Sequence, residues 1–248
     1  MTRCREDNLA VIIGGGGSIG QALFERLKSS GEYHDVIVCG RSSGIMLNLL
    51  SEESISSAAD CVRKMQVPVS TIVACTGVLH DDYITPEKTW RQTDAQSLET
   101  LFHVNAIGPM LVMKHFLPLL SKSGTSVFAC LSARVGSIGD NRLGGWYGYR
   151  ASKAALNQFV RTASVELSRV RPEAACIAVH PGTVSSNLSG PFSKNGLDVM
   201  TPQQCARKLH RVLNEVNKND SGGFFDYEKR RIPWGKTAQP LKLTTHLP

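Results

Sequence analysis

Short, continuous apolar runs alternate with longer segments of helical pattern along this chain of 248 residues. Most of the runs are rich in Val and Ile, which is the pattern of parallel strands that helices cover on both faces. Strands are predicted at residues 9–13, 36–39, 45–49, 70–75, 126–131, 175–180 and 223–225. Helices are predicted at residues 18–30, 52–65, 97–120, 149–170 and 202–216. This alternation predicts an α/β fold with a doubly wound, mostly parallel sheet of about seven strands.

The composition is that of a globular protein with a substantial core. The hydrophobic fraction is 42% and the charged fraction is 20%, and both values are ordinary. No composition shift, repeat or Pro/Ser-rich linker divides the chain, and the polar stretch 217–223 is interpreted as a turn before the last strand. We therefore predict a single domain over residues 1–248.

The excess of basic residues does not by itself indicate a nucleic-acid partner. The formal net charge is +7 and the pI is about 9.1, but the basic residues are scattered. The one dense cluster, at residues 229–231, lies beside the last predicted strand. A solvated basic surface is the simpler interpretation, and a positive potential also suits a ligand that carries phosphate charges. We expect no nucleic-acid partner.

Metal sites, serine-hydrolase chemistry and membrane insertion are disfavoured by the motifs of the chain. The seven cysteines form no CxxC pair, and the seven histidines include no HxxxH pair, so no metal is predicted. There is no Gly-x-Ser-x-Gly motif. The longest apolar stretch, 104–120, contains Lys114 and His115, and no signal-peptide pattern follows the N terminus. We expect reduced thiols, a cytoplasmic location and no membrane partner.

A glycine-rich turn joins the first predicted strand to the first predicted helix. Its sequence is Gly14-Gly15-Gly16-Gly17-Ser18-Ile19-Gly20. Glycines let the backbone approach a pyrophosphate, which the N–H groups and positive dipole of a helix N terminus can hold. A flexible glycine loop is the alternative, but the position between a strand and a helix favours a dinucleotide site.

Tyr149 and Lys153 lie one helical turn apart in the sequence Tyr149-Arg150-Ala151-Ser152-Lys153. Free tyrosine has a pKa near ~10, which leaves it almost fully protonated at neutral pH. A cation at i+4 on the same helical face favours the phenolate. We therefore expect Lys153 to lower the pKa of Tyr149 and make it a proton donor near neutral pH.

These two motifs occur together with several others in the order of the short-chain dehydrogenase/reductase family, which the chain resembles over nearly its whole length. The others are Ala74-Cys75-Thr76-Gly77, Asn105, Ser132 and His180-Pro181-Gly182-Thr183-Val184. Segments 132–138, 140–147, 224–227 and 232–234 resemble the C-signal (C-factor) subgroup of this family. The resemblance implies a Rossmann-like oxidoreductase.

The resemblance also implies a nicotinamide cofactor, and the residue after the second strand bears on which one. A carboxylate there usually meets the ribose diol of NAD, whereas a basic residue meets the 2′-phosphate of NADP. The chain has Arg41, which predicts NADP(H), unless Arg41 simply faces solvent. Asn48 can accept a hydrogen bond from the adenine amino group. The predicted cofactor-binding residues are Gly14, Gly16, Gly17, Ser18, Ile19, Gly20, Arg41, Ser42, Asn48, Leu49, Cys75, Thr76, Gly77, Tyr149, Lys153, Pro181, Gly182, Thr183 and Val184.

The connection between the second and third predicted strands is too short to hold a helix. It has five residues, 40–44, whereas a parallel crossover normally needs ~12. Five extended residues reach ~17 Å, so the third strand must be short or displaced. We therefore expect the adenine side of the cofactor site to be open.

Four residues are the predicted catalytic set on the family pattern. Tyr149 exchanges the proton, Lys153 holds the ribose, Ser132 orients the substrate oxygen, and Asn105 completes a proton relay through water to Lys153. Ser137 competes with Ser132, because its distance in sequence from Tyr149 is nearer to the family's usual spacing. The end of a strand fixes the geometry of Ser132, which favours Ser132.

The substrate pocket is predicted between Tyr149 and a lid at residues 183–200. Trp146 and Phe192 are expected to form an apolar wall that selects hydrophobic carbonyl compounds. The alternative is that both aromatic residues belong to the core.

The sequence therefore predicts an NADP(H)-dependent oxidoreductase that acts on a carbonyl or secondary alcohol. The alternative is a C-signal-like, cofactor-binding signalling protein with incidental turnover. The helices at 97–120 and 149–170 are too apolar to leave one face in water, and both pair across a twofold axis in the family. We expect a homodimer or homotetramer.

Overall fold

The structure of the protein is a computed structural model, which describes residues 7–42, 44–185 and 199–235. Its main feature is a sheet of seven strands, all parallel, in the order β3-β2-β1-β4-β5-β6-β9. The strands of this sheet are β1 (Leu9–Ile13), β2 (Asp35–Gly40), β3 (Ile45–Met46), β4 (Val69–Ala74), β5 (Ser126–Leu131), β6 (Ala174–His180) and β9 (Phe224–Asp226). The predicted fold class is confirmed, while the domain limits 1–248 stay a prediction.

Helices cover both faces of the sheet, as the continuous apolar runs predicted. The helices are α1 (Ser18–Ser30), α2 (Glu52–Lys64), α3 (Ala95–Phe102), α4 (Gly108–Phe116), α5 (Tyr147–Val170) and α6 (Pro202–Glu215). On one face, Ile55 of α2, Phe116 of α4 and Leu156 of α5 pack in a single buried cluster. On the other face, Leu23 of α1 and Leu209 of α6 pack in a second one. Successive side chains of each strand pack alternately into the two clusters, so both faces of the sheet are buried.

The helix predicted at 97–120 is present, but it is not α-helical throughout. A π-helical turn, His103–Ile107, separates α3 from α4, and a 3₁₀ turn, Leu117–Leu119, follows. In the π turn the Gly108 N–H bonds to the His103 carbonyl, five residues back. Such turns are rare and often occur at functional sites. Asn105 lies at the centre of this one.

The third strand is much shorter than the predicted 45–49. Only Ile45 and Met46 pair, with Cys39 and Gly40 of β2. The third strand is short, as the length of the crossover predicted, because five residues cannot return the chain to the start of a full strand. A groove of about 630 Å³ lies beside β2, with Phe24 of α1 and Met65 among its lining residues.

Two further short strands, β7 (Thr183–Val184) and β8 (Val199–Met200), form a separate parallel pair. The sequence pattern did not predict them, because two residues are too few to show periodicity. Much of the predicted lid, including Phe192, falls outside the described residues. Among the helices that the structure describes, none is sufficiently long and apolar to cross a bilayer.

Candidate active site

The glycine turn has the close packing that only glycine permits. Gly14 has φ +86°, and a Cβ there would lie 2.9 Å from Thr76 Cγ2. A Cβ on Gly20 would strike the Gly14 carbonyl oxygen. Helix α1 begins at Ser18 after Gly17, and no side chain caps its N terminus. Its first N–H groups therefore have no side-chain partner and can meet an anion.

The carboxyl ends of the central strands bring most of the predicted residues to one cavity. The cavity has a volume of about 310 Å³. It is lined by Gly16, Gly17, Ser18, Ile19, Cys75, Thr76, Gly77, Leu131, Ser132, Tyr149, Lys153 and Pro181. Parallel α/β sheets bind ligands at this edge, where the strand order reverses. The order reverses here between β1 and β4.

Tyr149 and Lys153 lie side by side in α5, both almost fully buried. Lys153 Nζ is 5.9 Å from the centroid of the Tyr149 ring and donates a 3.0 Å hydrogen bond to the Leu131 carbonyl oxygen. Burial lowers the pKa of Lys153 to about 8 and raises the pKa of Tyr149 well above its ordinary value. Desolvation therefore opposes the lowering of the Tyr149 pKa that the i+4 spacing predicts.

The two candidate serines have different environments. Ser132 follows β5, lines the cavity, and donates a 2.7 Å hydrogen bond to Asn157 Oδ1. Ser137 is also buried, but its hydroxyl donates to the Pro233 carbonyl oxygen. The cavity lining thus includes Ser132 and does not include Ser137.

Asn105 is fully buried, and its side chain bonds to neighbouring protein groups. Oδ1 accepts from the Val78 N–H at 2.8 Å, and Nδ2 donates to the Val78 carbonyl at 2.8 Å and to Ser152 Oγ at 3.1 Å. Asn105 therefore joins the π turn to the segment after β4. Its Oδ1 would lie 3.3 Å from a Cβ on Gly77, whose other neighbour is Lys153 Nζ.

The adenine side of the predicted cofactor site is open. Arg41 and Ser42 are exposed, and Ser42 Oγ lies 3.5 Å from where a Cβ of Gly16 would stand. Asn48 Oδ1 already accepts the Leu50 N–H at 3.1 Å, which leaves the oxygen one further lone pair. Leu49 is half-buried next to it.

The segment after β6 and the start of α5 border the predicted cofactor site away from its adenine side. Gly182 has φ +84°, and a Cβ there would collide with Met200 and Tyr227. Val184 is buried in the core, while Thr183 is half-buried. Trp146 precedes α5 in a left-handed conformation, with its ring edge-on to Tyr149 and 6.2 Å away.

Three residues near the site were missed by the sequence analysis. Leu131 supplies both cavity surface and the carbonyl that binds Lys153. Asn157 lies one helical turn after Lys153, so its spacing could have revealed it. Glu87 is buried, accepts the Gly148 N–H at 3.1 Å, and its carbonyl accepts the Trp146 N–H at 2.5 Å. No local pattern marks Glu87, because its partners are distant in sequence.

Comparison with known proteins agrees with this geometry. The "C-signal" of Myxococcus xanthus is 37% identical over 142 residues, covering 57% of this chain and 81% of that protein. A 1-hydroxy-2-glutathionyl-2-methyl-3-butene dehydrogenase of a Rhodococcus species is 26% identical over 90% of this chain and 98% of its own length. The NADPH-bound carbonyl reductase from chicken fatty liver has the same fold, with a TM-score of 0.81, 22% identity, and coverage of 94% of this chain and 96% of that one.

The family model described as "short chain dehydrogenase" matches residues 8–197. This span contains the glycine turn, the segment after β4, Ser132, Tyr149 and Lys153. Because this model matches well over half of the chain, the chain belongs to the short-chain dehydrogenase family.

Proposed function

We propose that this dehydrogenase/reductase transfers hydride between NADP(H) and a hydrophobic carbonyl compound or the corresponding secondary alcohol. The observation that carries the proposal is the cavity that Ser132, Tyr149 and Lys153 share with the glycine turn. A proton donor, a hydroxyl and a cation next to a dinucleotide-type turn are the groups that carbonyl reduction needs. The family membership supports chemistry on CH–OH and C=O groups.

The residues around the glycine turn fit a nicotinamide cofactor. Gly14 and Gly20 keep the turn closely packed, and the uncapped N terminus of α1 lines the cavity through Gly17, Ser18 and Ile19. The segment 75–77 and Pro181 also line the cavity. When bound, the cofactor supplies or accepts the hydride. The protein supplies position, a dry environment and the proton.

A 2′-phosphate fits the residues that follow β2. Arg41 is exposed at this point and forms no ion pair among the described residues, so its guanidinium is available for a phosphate. Ser42 adds a hydroxyl near Gly16. A carboxylate that could repel the phosphate is missing from the sequence 40–42. The presence of NADPH in the chicken reductase is in line with this choice.

Tyr149 is the proposed proton donor in reduction and proton acceptor in oxidation. Burial raises the pKa of the phenol, so the hydroxyl is protonated before reaction. The ammonium of Lys153 stabilises the phenolate that forms when the proton leaves. Asn105 fixes the segment after β4 through Val78, which holds the cofactor wall against α5.

An apolar cluster beside Tyr149 favours hydrophobic substrates. The cluster consists of buried Leu79, Ile84, Leu101 and Ala133, with Val78, Val135 and Trp146 packed against it. Of this cluster and Tyr149, only Tyr149 lines the cavity, so the cluster favours hydrophobic substrates where a substrate extends past Tyr149 towards Trp146. Trp146 is the proposed substrate contact on this side, and Phe192 remains the proposed contact from the lid.

The test compares two tyrosines of the same helix. Tyr149→Phe should lower the rate of NADPH-dependent ketone reduction by at least about 10²-fold, because it removes the acid, while NADPH affinity measured by fluorescence stays unchanged. Tyr147→Phe, at a partly exposed position two residues away, is the matched control and should retain the wild-type rate. A Tyr149→Phe enzyme with more than about a tenth of the wild-type rate would refute the assignment.

A second candidate is a cofactor-dependent signalling role, and the 37% identity to the relative named C-signal favours it. Turnover separates the two candidates. A screen of NADPH oxidation over aldehydes, ketones and quinones should find a substrate if the protein is a reductase. Tight NADPH binding without turnover of any carbonyl would favour the signalling role.

A further inference from the structure

Glu87, a buried residue of the segment between β4 and α3, contacts the start of α5. It is 4% exposed, and its Oε1 accepts a 3.1 Å hydrogen bond from the Gly148 N–H. Its carbonyl oxygen accepts the Trp146 N–H. The second carboxylate oxygen, Oε2, is buried and has no hydrogen-bond partner among the described residues. The side chain and the backbone of Glu87 are therefore both bonded to the first residues of α5.

The start of α5 needs partners from elsewhere because the helix does not cap itself. The first four N–H groups of a helix have no partner within the helix, and here they belong to residues 146–149. Trp146 provides no side-chain cap, and the first turn contains no acidic residue. Glu87 binds two of these four N–H groups. The cap of α5 is thus supplied by a residue 61 positions away from Gly148 in the sequence.

Gly148 lets the carboxylate approach the helix backbone closely. A Cβ at this position would lie 3.1 Å from Glu87 Oε1 and only 2.6 Å from Leu101 Cδ1 of α3. A side chain on residue 148 would therefore compete with Glu87 and Leu101 for the same space. The close packing of α3 against α5 keeps the carboxylate next to the Gly148 N–H.

Tyr149 follows Gly148 directly and lies in the same first turn, which is the part of a helix that frays when its N–H groups lose their partners. Lys153 lies one turn further along and has its own hydrogen bond to the Leu131 carbonyl. Fraying would therefore displace Tyr149 more than Lys153. A buried carboxyl group with an unpartnered oxygen opposes folding, so stability alone gives no reason for a glutamate at position 87.

We propose that Glu87 is a positioning residue, which binds the Gly148 N–H and thereby holds the first turn of α5 so that the Tyr149 hydroxyl stays at the cavity beside Ser132. This role rests on the proposed function. Glu87 does not line the cavity, so it exchanges no proton with the substrate, and Tyr149 remains the proton donor. A displacement of about 1 Å at the reacting group is sufficient to lower a rate strongly.

Glu87→Met and Glu87→Gln separate the hydrogen bond from the volume of the side chain. Both replacements have a length similar to that of glutamate, but only glutamine keeps an oxygen that accepts the Gly148 N–H. Glu87→Met should lower kcat about tenfold and leave NADPH affinity unchanged. Glu87→Gln should keep at least about half of the wild-type kcat, because the bond is retained.

Glu87→Asp separates the hydrogen bond from the charge. Aspartate keeps the carboxylate but is one methylene shorter, so its oxygens lie too far from the Gly148 N–H for the same bond. The Asp variant should therefore lose kcat as the Met variant does. If Glu87→Met does not unfold cooperatively, the comparison of Asp with Gln decides between loss and retention of the bond.

Asp94→Ala is the matched control for the loss of a helix cap. Asp94 caps α3 by accepting the Ser97 N–H at 2.9 Å, and no residue of α3 lines the cavity. This variant should have a lower Tm and the wild-type kcat. A purely structural role for Glu87 predicts that Glu87→Met behaves in the same way, with a lower Tm and an unchanged kcat.

Amide hydrogen exchange tests the start of α5 without turnover. The Gly148 N–H should exchange slowly in the wild type and in Glu87→Gln, and faster in Glu87→Met, while Leu156 in the middle of α5 stays protected in all three. Unchanged kcat in Glu87→Met, or equal losses of kcat in the Gln and Met variants, would overturn the inference. If the wild type reduces no carbonyl, the proposed function fails, and exchange at Gly148 still decides whether Glu87 holds the start of α5.

Discussion

Replacing Lys153 by methionine should stabilise the cofactor-free protein at neutral pH. Lys153 is 3% exposed, and burial lowers its pKa from the ordinary value of 10.5 to about 8. Its ammonium has one described hydrogen bond, to the Leu131 carbonyl. At pH 7 the lysine is thus a buried cation with no described carboxylate partner, and methionine removes the charge at similar length.

The pKa difference gives the size of the expected change in folding free energy. One pH unit corresponds to about 1.4 kcal/mol, so charging Lys153 in the folded state at pH 7 opposes folding by about 3 kcal/mol. Methionine leaves the Leu131 carbonyl without its partner, which opposes folding by about 1 kcal/mol. The net gain at pH 7 is about 2 kcal/mol, or about 4–8 °C in Tm for a chain of this size.

The sign of the pH dependence distinguishes this cause from better packing. Because the folded pKa lies below the unfolded one, the unfolded state binds more protons between pH 8 and 10.5, and wild-type stability rises with pH in that window. By pH 10 the free energy by which the charge of Lys153 opposes folding decreases to about 1 kcal/mol. The wild type and Lys153→Met should therefore have about the same stability at pH 10.

Urea unfolding of wild type and Lys153→Met at pH 7, 8, 9 and 10 measures this difference directly. Lys122→Met, at an exposed position before β5, is the control and should give a difference that does not depend on pH. A Lys153→Met protein that is less stable than wild type at pH 7, or a constant difference from pH 7 to 10, would show that the ammonium is not destabilising where it lies.

Two further substitutions test the charges of Arg41, which follows β2, and of His180, the last residue of β6. Arg41→Asp should invert the coenzyme preference from NADPH to NADH, since a carboxylate repels the 2′-phosphate and accepts from the ribose diol; equal wild-type dissociation constants for the two coenzymes would contradict this. The pKa of His180 is lowered to about 4, mainly by burial and then by Arg134, while Asp226 opposes the shift. The stability that the neutral imidazole contributes is therefore lost as pH falls from 6.5 to about 4. Between pH 7 and 5, the free energy of unfolding of the wild type should fall by about 2 kcal/mol more than that of His180→Gln. Equal pH dependence of the two free energies of unfolding would contradict this prediction.

Local patterns were sufficient for the strands of the seven-stranded sheet and for locating the two main motifs. The Val- and Ile-rich runs identified the seven strands of the sheet within one or two residues, except β3. The length of the crossover even indicated that β3 would be short, because chain reach is a property of the backbone. The glycine turn and the spacing of Tyr149 and Lys153 also depend only on near neighbours in sequence.

The choice between Ser132 and Ser137 was a matter of tertiary structure. Both are buried, and sequence spacing favoured one while strand position favoured the other. The structure shows how their surroundings differ: Ser132 lines the cavity and bonds to Asn157, whereas Ser137 bonds to Pro233, 96 residues away. A hydrogen bond between residues so far apart leaves no periodic signal in the chain.

The sequence by itself determined the order of strands and helices, the glycine turn and the proton-donor pair, because hydrophobic period, chain reach and i+4 spacing act over short distances. The tertiary structure decided the π turn at Asn105, the direction of the Ser132 hydroxyl and the pKa values of Tyr149 and Lys153. These depend on burial and on partners from other elements. Desolvation is set by everything that packs around a group, so the i+4 spacing of Lys153 alone does not determine the pKa of Tyr149.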